Sequence, residues 1–275
     1  MVIVLVCQAC SEVIDLPIDT DQQLVVECYL NPADELISLS LYNNRIVGQP
    51  NPGQSVEDAS VFIEKEETGA LLNLVFNEAS DSYEARPAPG YLESGATYHL
   101  SVQFASMELN ASTTIPEPIE NFDLDLQVIP ISFANDYFGN VQWDRPPSSE
   151  ITYHRLSVNV ISARNGRILF PALATTAFDA DYLSLEPDAA MVSFPTIDFQ
   201  EDNDPNSFGK LSFAGDTVKI RALNIDRNYY EFQLDLRKLQ RADDLSDPLI
   251  LFSNIKNGLG IFGSFTQVQT EFVLE

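Results

Sequence analysis

The sequence predicts a mainly β fold: an immunoglobulin-like β-sandwich, followed by a second β-sandwich-like domain that carries one amphipathic helix. In short runs, Val, Ile, Leu, Phe and Tyr alternate with polar residues at a period of two. Clusters of Gly, Pro, Asn and Asp separate these runs. One segment breaks this pattern and has helical spacing. The chain has 275 residues with 45% hydrophobic content, enough for one large or two ordinary domains, and we expect two.

Residues 21–116 are expected to form the first domain, because successive short strands with turn signals between them are typical of an immunoglobulin-like sandwich. The expected strands are Leu24–Leu30, Leu36–Tyr42, Ala59–Glu64, Leu71–Phe76 and Thr97–Phe104. The last of these has the clearest alternation. Cys28 lies within the first strand, and we expect it to be buried and to pack as a small hydrophobic side chain.

Two prolines, Pro116 and Pro118, interrupt the strand pattern. Proline cannot donate to a β-ladder and favours extended polyproline geometry, so the segment 115–119 is expected to be a semi-rigid connector between domains. We place the second domain at residues 119–275. Its expected strands are Asp123–Ile131, Asn140–Trp143, Ile151–Ile161 and Thr217–Asn224.

The helix is expected near residues 226–242. Apolar residues recur there at intervals of three and four, namely Tyr229, Phe232, Leu236 and Leu239. Asp226 can cap the start, and basic residues near the end suit the negative end of the helix dipole. The apolar stripe is interpreted as the face that packs on the second sheet. A docking helix for a partner is the alternative.

The start of the chain is typical of a lipoprotein. Residues 1–9 are apolar except for Gln8 and are interpreted as the remnant of a signal peptide. Cys10, which follows the small residue Ala9, is the expected lipid-attachment site, and residues 10–20 are the expected tether. The alternative is that Cys7 and Cys10 form a redox or metal-binding pair, but such a pair needs a helix start or further ligands that the sequence does not supply.

The net charge of −26 restricts the possible partners. Nucleic acid is excluded as a partner, because phosphate binding depends on basic patches that release counterions. Anionic lipid headgroups should also repel the protein, so we expect acyl chains to hold it at the membrane.

Few residues offer catalytic or metal-binding chemistry. The two histidines, His99 and His154, are too few for a histidine-rich zinc site, and we expect no catalytic residues and no resident cofactor. Asp202, Asp204 and Asn206 have the alternating oxygen ligands of a calcium loop. That loop departs from the EF-hand template, because serine stands where the invariant glycine is needed. A solvated acidic loop is the alternative.

Four further residues are candidates for ligand or partner contact: Gly258, Gly260, Tyr229 and Tyr230. The glycines permit positive φ or close backbone approach, which suits a bulged strand that closes the domain edge; a ligand-contacting loop is the alternative. The tyrosines are expected in the core first, with stacking on a ligand as the alternative.

An ordered series of motifs carries a resemblance over nearly the whole chain. The series comprises the residues 10–12, 24–27, 56–63, 69, 95–100, 207–209, 216–218, 224–226, 229–230 and 253–263. It resembles domain of unknown function 4249, a family of Bacteroidota lipoproteins whose genes commonly lie beside TonB-dependent outer-membrane receptors. The resemblance implies a lipid-anchored outer-membrane protein, on the cell surface or the periplasmic face, and it implies no catalytic residues.

We therefore expect a non-enzymatic accessory or substrate-capturing partner of a TonB-dependent transporter. Two alternatives remain open. The stacked immunoglobulin-like strands also suit a surface adhesin or structural module. A hydrolase that uses a pair of carboxylates is the third, because 41 acidic residues allow many pairs whose separation the sequence does not give.

Overall fold

The computed structural model describes residues 23–44, 53–131, 134–144, 152–161, 217–241 and 251–273, with the short pieces 163, 168–169, 181–183, 191–197 and 215. The strands of the first half are β1 (Leu24–Leu30), β2 (Ile37–Asn43), β3 (Ser60–Lys65), β4 (Ala70–Asn77), β5 (Ser82–Ala85), β6 (Thr97–Phe104) and β7 (Met107–Thr114). Strands β1 and β6 have the bounds that the sequence predicts.

The second half contributes eight strands and one helix within the described residues. They are β8 (Glu120–Ile131), β9 (Ala134–Asp144), β10 (Tyr153–Ile161), β11 (Ile168–Leu169), β12 (Asp181–Leu183), β13 (Met191–Ile197), β14 (Thr217–Ile225), α1 (Arg227–Arg241) and β15 (Leu259–Val273). The mainly β fold with one helix is therefore confirmed.

The first half is a sandwich of two layers. In hydrogen-bonding order, β1, β2 and β5 form one layer and β4, β3, β6 and β7 form the other, with β4 and β5 paired where the sheet turns from one layer into the next. Inward-facing side chains from both layers pack into one hydrophobic cluster that includes Val26, Leu39, Ile63 and Leu100. This strand order is that of an immunoglobulin-like Greek key.

Tyr98 at the start of β6 supports the same assignment. Its side chain is fully buried, and its hydroxyl donates to the carbonyl oxygen of Tyr91 at 2.7 Å and accepts from the amide of Glu93 at 2.8 Å. A tyrosine that bonds back to the upstream backbone from this position is a hallmark of immunoglobulin-like sandwiches. The predicted type of N-terminal sandwich is confirmed.

Strand β15 connects the two halves of the chain. Its first residues, Leu259–Ser264, pair in parallel with β1, and the rest pairs in antiparallel fashion with β14, which in turn pairs with β10. Ile255 and Phe262 are 6% and 0% exposed and belong to the core of the N-terminal sandwich. The sandwich therefore takes in a segment from the end of the chain. The division into domains at residues 117–118 stays a prediction.

Side-chain amides cover the outer edge of β7. Asn228 and Asn254 donate to the carbonyl oxygen of Ser112 at 3.1 and 3.2 Å, and Asn257 donates to that of Glu108 at 2.9 Å. An open strand edge is a template for pairing with another chain. These residues from α1 and the segment before β15 thus protect the last strand of the sandwich.

The proline-containing connector is held at both ends. Ile115 is fully buried, and its amide donates to the carbonyl oxygen of Ala96 at 3.0 Å. The carbonyl oxygen of Glu117 accepts from Asn224 of β14 at 2.8 Å and from Thr266 of β15 at 3.0 Å. The segment 115–119 is thus fixed both to the sandwich and to the sheet of the second half, and its role as a connector between domains stays a prediction.

Helix α1 begins and packs where the sequence places it. The Asp226 carboxylate accepts from the amide of Tyr229 at 2.9 Å, which is the bond of a helix N-cap. The rings of Tyr229 and Tyr29 lie 4.6 Å apart. A Cβ on Gly263 would lie 3.2 Å from the Cβ of Tyr229, so a glycine there lets the helix approach β15 closely. The predicted apolar stripe is not buried along its whole length, because Leu239, its last member, is 47% exposed.

Candidate functional site

A row of outward-facing apolar residues on β4 is the most exposed apolar feature among the described residues. Leu71 and Val75 are 66% and 63% exposed, and Asn73 lies between them on the same face. Phe62 of β3 stands opposite Asn73 in the ladder and is half-buried. We call these four residues the β4 strip. Single exposed apolar residues are common on protein surfaces, but a group on one sheet face indicates a contact surface.

The layer that carries the β4 strip is acidic. Glu64 stands opposite Leu71 on β3, and His99 stands opposite Glu64 on β6 with Nε2 at 3.5 Å from the Glu66 carboxylate. The sandwich segments 23–44 and 53–115 contain thirteen acidic and two basic residues. One of the two, Lys65, is buried and bound to a glutamate at 2.6 Å. The surface around the strip therefore has strongly negative character.

An open depression of about 840 Å³ lies at the Val75 end of the strip, lined by Val75, Phe76, Asn77, Glu78, Ala79 and Glu84. Glu84 stands opposite Val75 in the β4–β5 ladder. Its carboxylate accepts from Ser80 at 2.6 Å and Asn77 at 2.8 Å, and these hydrogen bonds hold the pKa of Glu84 below its usual value. The depression thus combines apolar surface with a fixed carboxylate.

The four predicted contact residues lie elsewhere, at the junction of α1, β15 and the sandwich. Tyr229 and Tyr230 are 6% and 7% exposed, which confirms that they belong to the core. The Arg155 guanidinium donates to the Tyr229 hydroxyl at 2.6 Å, and the Tyr230 ring lies 4.4 Å from that of Tyr153. Contact of either residue with a ligand or partner stays a prediction.

Gly258 and Gly260 allow close backbone approach, as the sequence predicts. A Cβ on Gly258 would lie 2.5 Å from a methyl carbon of Leu109, and one on Gly260 would lie 1.9 Å from the carbonyl oxygen of Val26. Gly260 also has φ +105, which other residues rarely adopt. Packing accounts for both glycines, and a ligand-contacting role stays a prediction.

Other sequence-based candidates fall outside the described residues. Cys10 and the calcium candidates Asp202, Asp204 and Asn206 are among these. Within the described residues, no group of three or more His, Cys, Asp or Glu side chains is arranged to hold a metal ion. The same residues include no helix long and apolar enough to cross a membrane.

Cys28 is buried in β1 as predicted. It is 1% exposed and forms no disulfide bond within the part of the chain that the structure describes. Burial, with a smaller contribution from the nearby Glu27 carboxylate, raises the pKa of its thiol to about 12. A thiol that stays protonated and enclosed is inert, so Cys28 has a packing role.

A buried carboxylate joins the sandwich to the second half of the chain. Asp226 accepts from the amides of Tyr229 and Ser264 through one oxygen, and from the Thr113 hydroxyl at 2.8 Å through the other. The Thr113 hydroxyl also lies 2.8 Å from that of Ser264, which lies 2.9 Å from the carbonyl oxygen of Thr114. Each of these three oxygen–oxygen contacts needs one proton, but the hydroxyls of Thr113 and Ser264 supply only two. A proton on the Asp226 carboxyl group would supply the third.

We predict that Asp226→Asn leaves the protein at least as stable as wild type near pH 8. Burial raises the pKa of Asp226 above 3.8, so the folded state binds this proton more tightly than the unfolded chain. The stability from this group is complete below the unfolded pKa and is lost as pH rises through the folded pKa. An asparagine amide can donate to Thr113 at every pH and still cap the helix.

Urea unfolding between about pH 4 and pH 8 checks this prediction. The stability of the variant relative to wild type should increase with pH. Exposed Glu271→Gln serves as the control. A variant that is less stable than wild type by the same amount at every pH would show that Asp226 acts as a carboxylate in the folded protein.

The family model described as a domain of unknown function (DUF4249) matches residues 11–271. A comparison with curated proteins finds no match. Among solved structures, the selenomethionine-substituted chicken interferon gamma receptor alpha chain is similar at 10% identity, over 75% of this chain and 90% of that chain, with a TM-score of 0.19. A TM-score this low carries no argument about function. The family match spans most of the sequence, and the chain therefore belongs to the family described as a domain of unknown function (DUF4249).

Proposed function

We propose that this protein is a non-enzymatic, lipid-anchored accessory or substrate-capturing partner of a TonB-dependent outer-membrane transporter. The observation that supports it most is the β4 strip, whose exposed Leu71 and Val75 give the sandwich a surface suited to protein contact. The family match and the lipoprotein-like start of the sequence add to this support.

The architecture suits a binding role. The sandwich core, the covered β7 edge and the buried junction at Asp226 give a rigid body on which the β4 strip stands. A rigid surface limits the conformational entropy that association costs. The residues from Cys10 to the start of β1, which the sequence predicts to be a tether, would allow this body to stand off a membrane to which Cys10 is attached.

Affinity purification from native membranes tests the proposal. Tagged wild-type protein should recover a large β-barrel receptor of the TonB-dependent class, identified by mass spectrometry. Cys10→Ala, which removes the lipid-attachment thiol, should move the protein to the soluble fraction and reduce that recovery. Repeated recovery of the membrane-bound protein without such a receptor would contradict the proposal.

A surface adhesin is the second candidate, because the same exposed strip could contact a host or matrix component. Deletion of the receptor that copurifies with the protein separates the two. Binding to matrix components that survives the deletion would favour the adhesin. Loss of that binding when the receptor is deleted would favour the transporter partner.

A further inference from the structure

We propose that the β4 strip and the adjacent depression bind a polypeptide segment that combines apolar side chains with Lys or Arg. This inference rests on the proposed function only in taking the partner to be a protein. It adds where the partner binds and what chemistry the contacting segment has.

The apolar part of the site is given by the β4 strip. The outward side chains of Leu71 and Val75 are separated by one residue of the same face, and Phe62 lies beside them on β3. An extended or helical segment can cover both side chains with a few apolar residues. Burial of apolar surface contributes about 25 cal/mol per Å². We therefore expect the affinity for the partner to come mainly from covering the β4 strip.

The charged part of the site is given by the depression. Glu84 stands beside Val75, its carboxylate is oriented by Asn77 and Ser80, and Glu78 on the same rim is exposed. The hydrogen bonds from Ser80 and Asn77 keep Glu84 ionised into mildly acidic conditions. A fixed carboxylate next to an apolar surface suits a Lys or Arg whose stem packs on the apolar side chain.

The described part of the protein supplies little positive charge to this region. Arg86 is the basic residue near Glu84, and its side chain is 71% exposed and lies 3.8 Å from Glu35. An exposed pair at that distance is weak. An incoming cation can therefore approach Glu84 without displacing a strong internal ion pair.

Charge also argues against other occupants. A second copy of this chain would bring another net charge of −26 against the first, and an anionic lipid surface would also be repelled. A basic partner is attracted instead, and the attraction speeds its association at low salt. The negative charge of the sandwich thus favours a basic polypeptide over a second copy of the chain or an anionic membrane as the occupant of the β4 strip.

Fluorescence anisotropy with the full chain tests the site directly. The probe is a short labelled peptide that alternates Lys with Leu, and the controls are the same peptide with Glu in place of Lys and with Ser in place of Leu. The Lys–Leu peptide should bind at least about tenfold more tightly than either control, and salt should weaken its binding. Equal binding of all three peptides would overturn the proposal.

Variants locate the binding. Leu71→Lys and Val75→Lys should each weaken binding of the Lys–Leu peptide about tenfold, and Glu84→Gln should reduce its salt dependence. The matched controls are Val273→Lys, since Val273 is 60% exposed on β15, and Glu271→Gln. Thermal unfolding verifies that every variant is folded. Equal losses from Val75→Lys and Val273→Lys would contradict a site at the β4 strip.

The results also separate this inference from the proposed function. If wild type recovers a TonB-dependent receptor and Val75→Lys recovers it equally well, the docking site is wrong and the function stands. If the peptide binds at the β4 strip but no receptor is recovered, the site stands and the transporter partnership is wrong. Concentration-dependent dimerisation that Val75→Lys abolishes would replace the basic partner with a second copy.

Discussion

Gly260→Ala is expected to destabilise the protein by about 4 kcal/mol or more, or to prevent folding. The new Cβ would lie 1.9 Å from the carbonyl oxygen of Val26, so β15 and β1 would have to separate. The φ of +105 adds strain that no side chain relieves. Because this contact lies where the chain end enters the sandwich, its loss should release Phe262 from the core.

The control is Gly69→Ala, which separates the clash from the backbone strain. Gly69 also has a positive φ, +65, but the nearest atom to its Cβ would be 3.8 Å away. An alanine in this left-handed conformation should cost about 1 kcal/mol. Urea unfolding measures both variants, and equal losses of stability would show that β15 does not approach β1 as closely as the structure describes.

A fragment of residues 21–116 is expected to be largely unfolded when isolated. It lacks Ile255 and Phe262, which are almost completely buried in the sandwich core. Burial of two such side chains contributes about 3 to 6 kcal/mol, a large part of the roughly 5 to 15 kcal/mol that stabilises a typical domain. The fragment would also leave β1 and β7 with uncovered edges.

Circular dichroism and hydrogen exchange measure the fragment alone and with a peptide of residues 251–273. The peptide carries β15 and the segment before it, so its addition should restore β structure and slow the exchange of β1 amides. The same peptide with alanine at position 260 is the control and should restore neither. Cooperative thermal unfolding of the fragment without any peptide would show that the sandwich is complete without the chain end.

Regular alternation of apolar and polar residues predicts a strand well. In β6, buried Tyr98, Leu100 and Val102 alternate with more polar residues, and the predicted bounds agree with the structure. Strand β7 was missed because small and polar residues follow Leu109, and pairing with β6 outweighs their low preference for strands.

The position of β15 could not be predicted from local pattern. The glycines before Phe262 indicated close backbone approach, but no periodicity names the strand that approaches. The partner is β1, more than two hundred residues earlier in the chain. The parallel register places Phe262 beside Cys28, and both residues belong to one core. Tertiary contacts of this kind decide the strand order, and the local sequence of β15 gives no indication of its partner strand.

The β4 strip was hidden for a different reason. Residues 71–76 are apolar at almost every position, so alternation cannot tell which face is buried, and such a run is typical of a strand covered on both sides. The structure buries Leu74 and exposes Leu71 and Val75. A strand that has the composition of a fully buried one but exposes one face is a candidate contact surface, and this is why we propose that a partner binds there.

Site-specific photocrosslinking in native membranes tests the central claim most directly. A photoreactive amino acid replaces Val75 in the β4 strip or, as the matched control, Val273 on β15, which has similar exposure. We expect position 75 to crosslink to a TonB-dependent β-barrel receptor through a peptide that contains Lys or Arg, and position 273 to give no such product. Equal crosslinking from both positions, or none from position 75 while the receptor still copurifies, would contradict docking through the β4 strip.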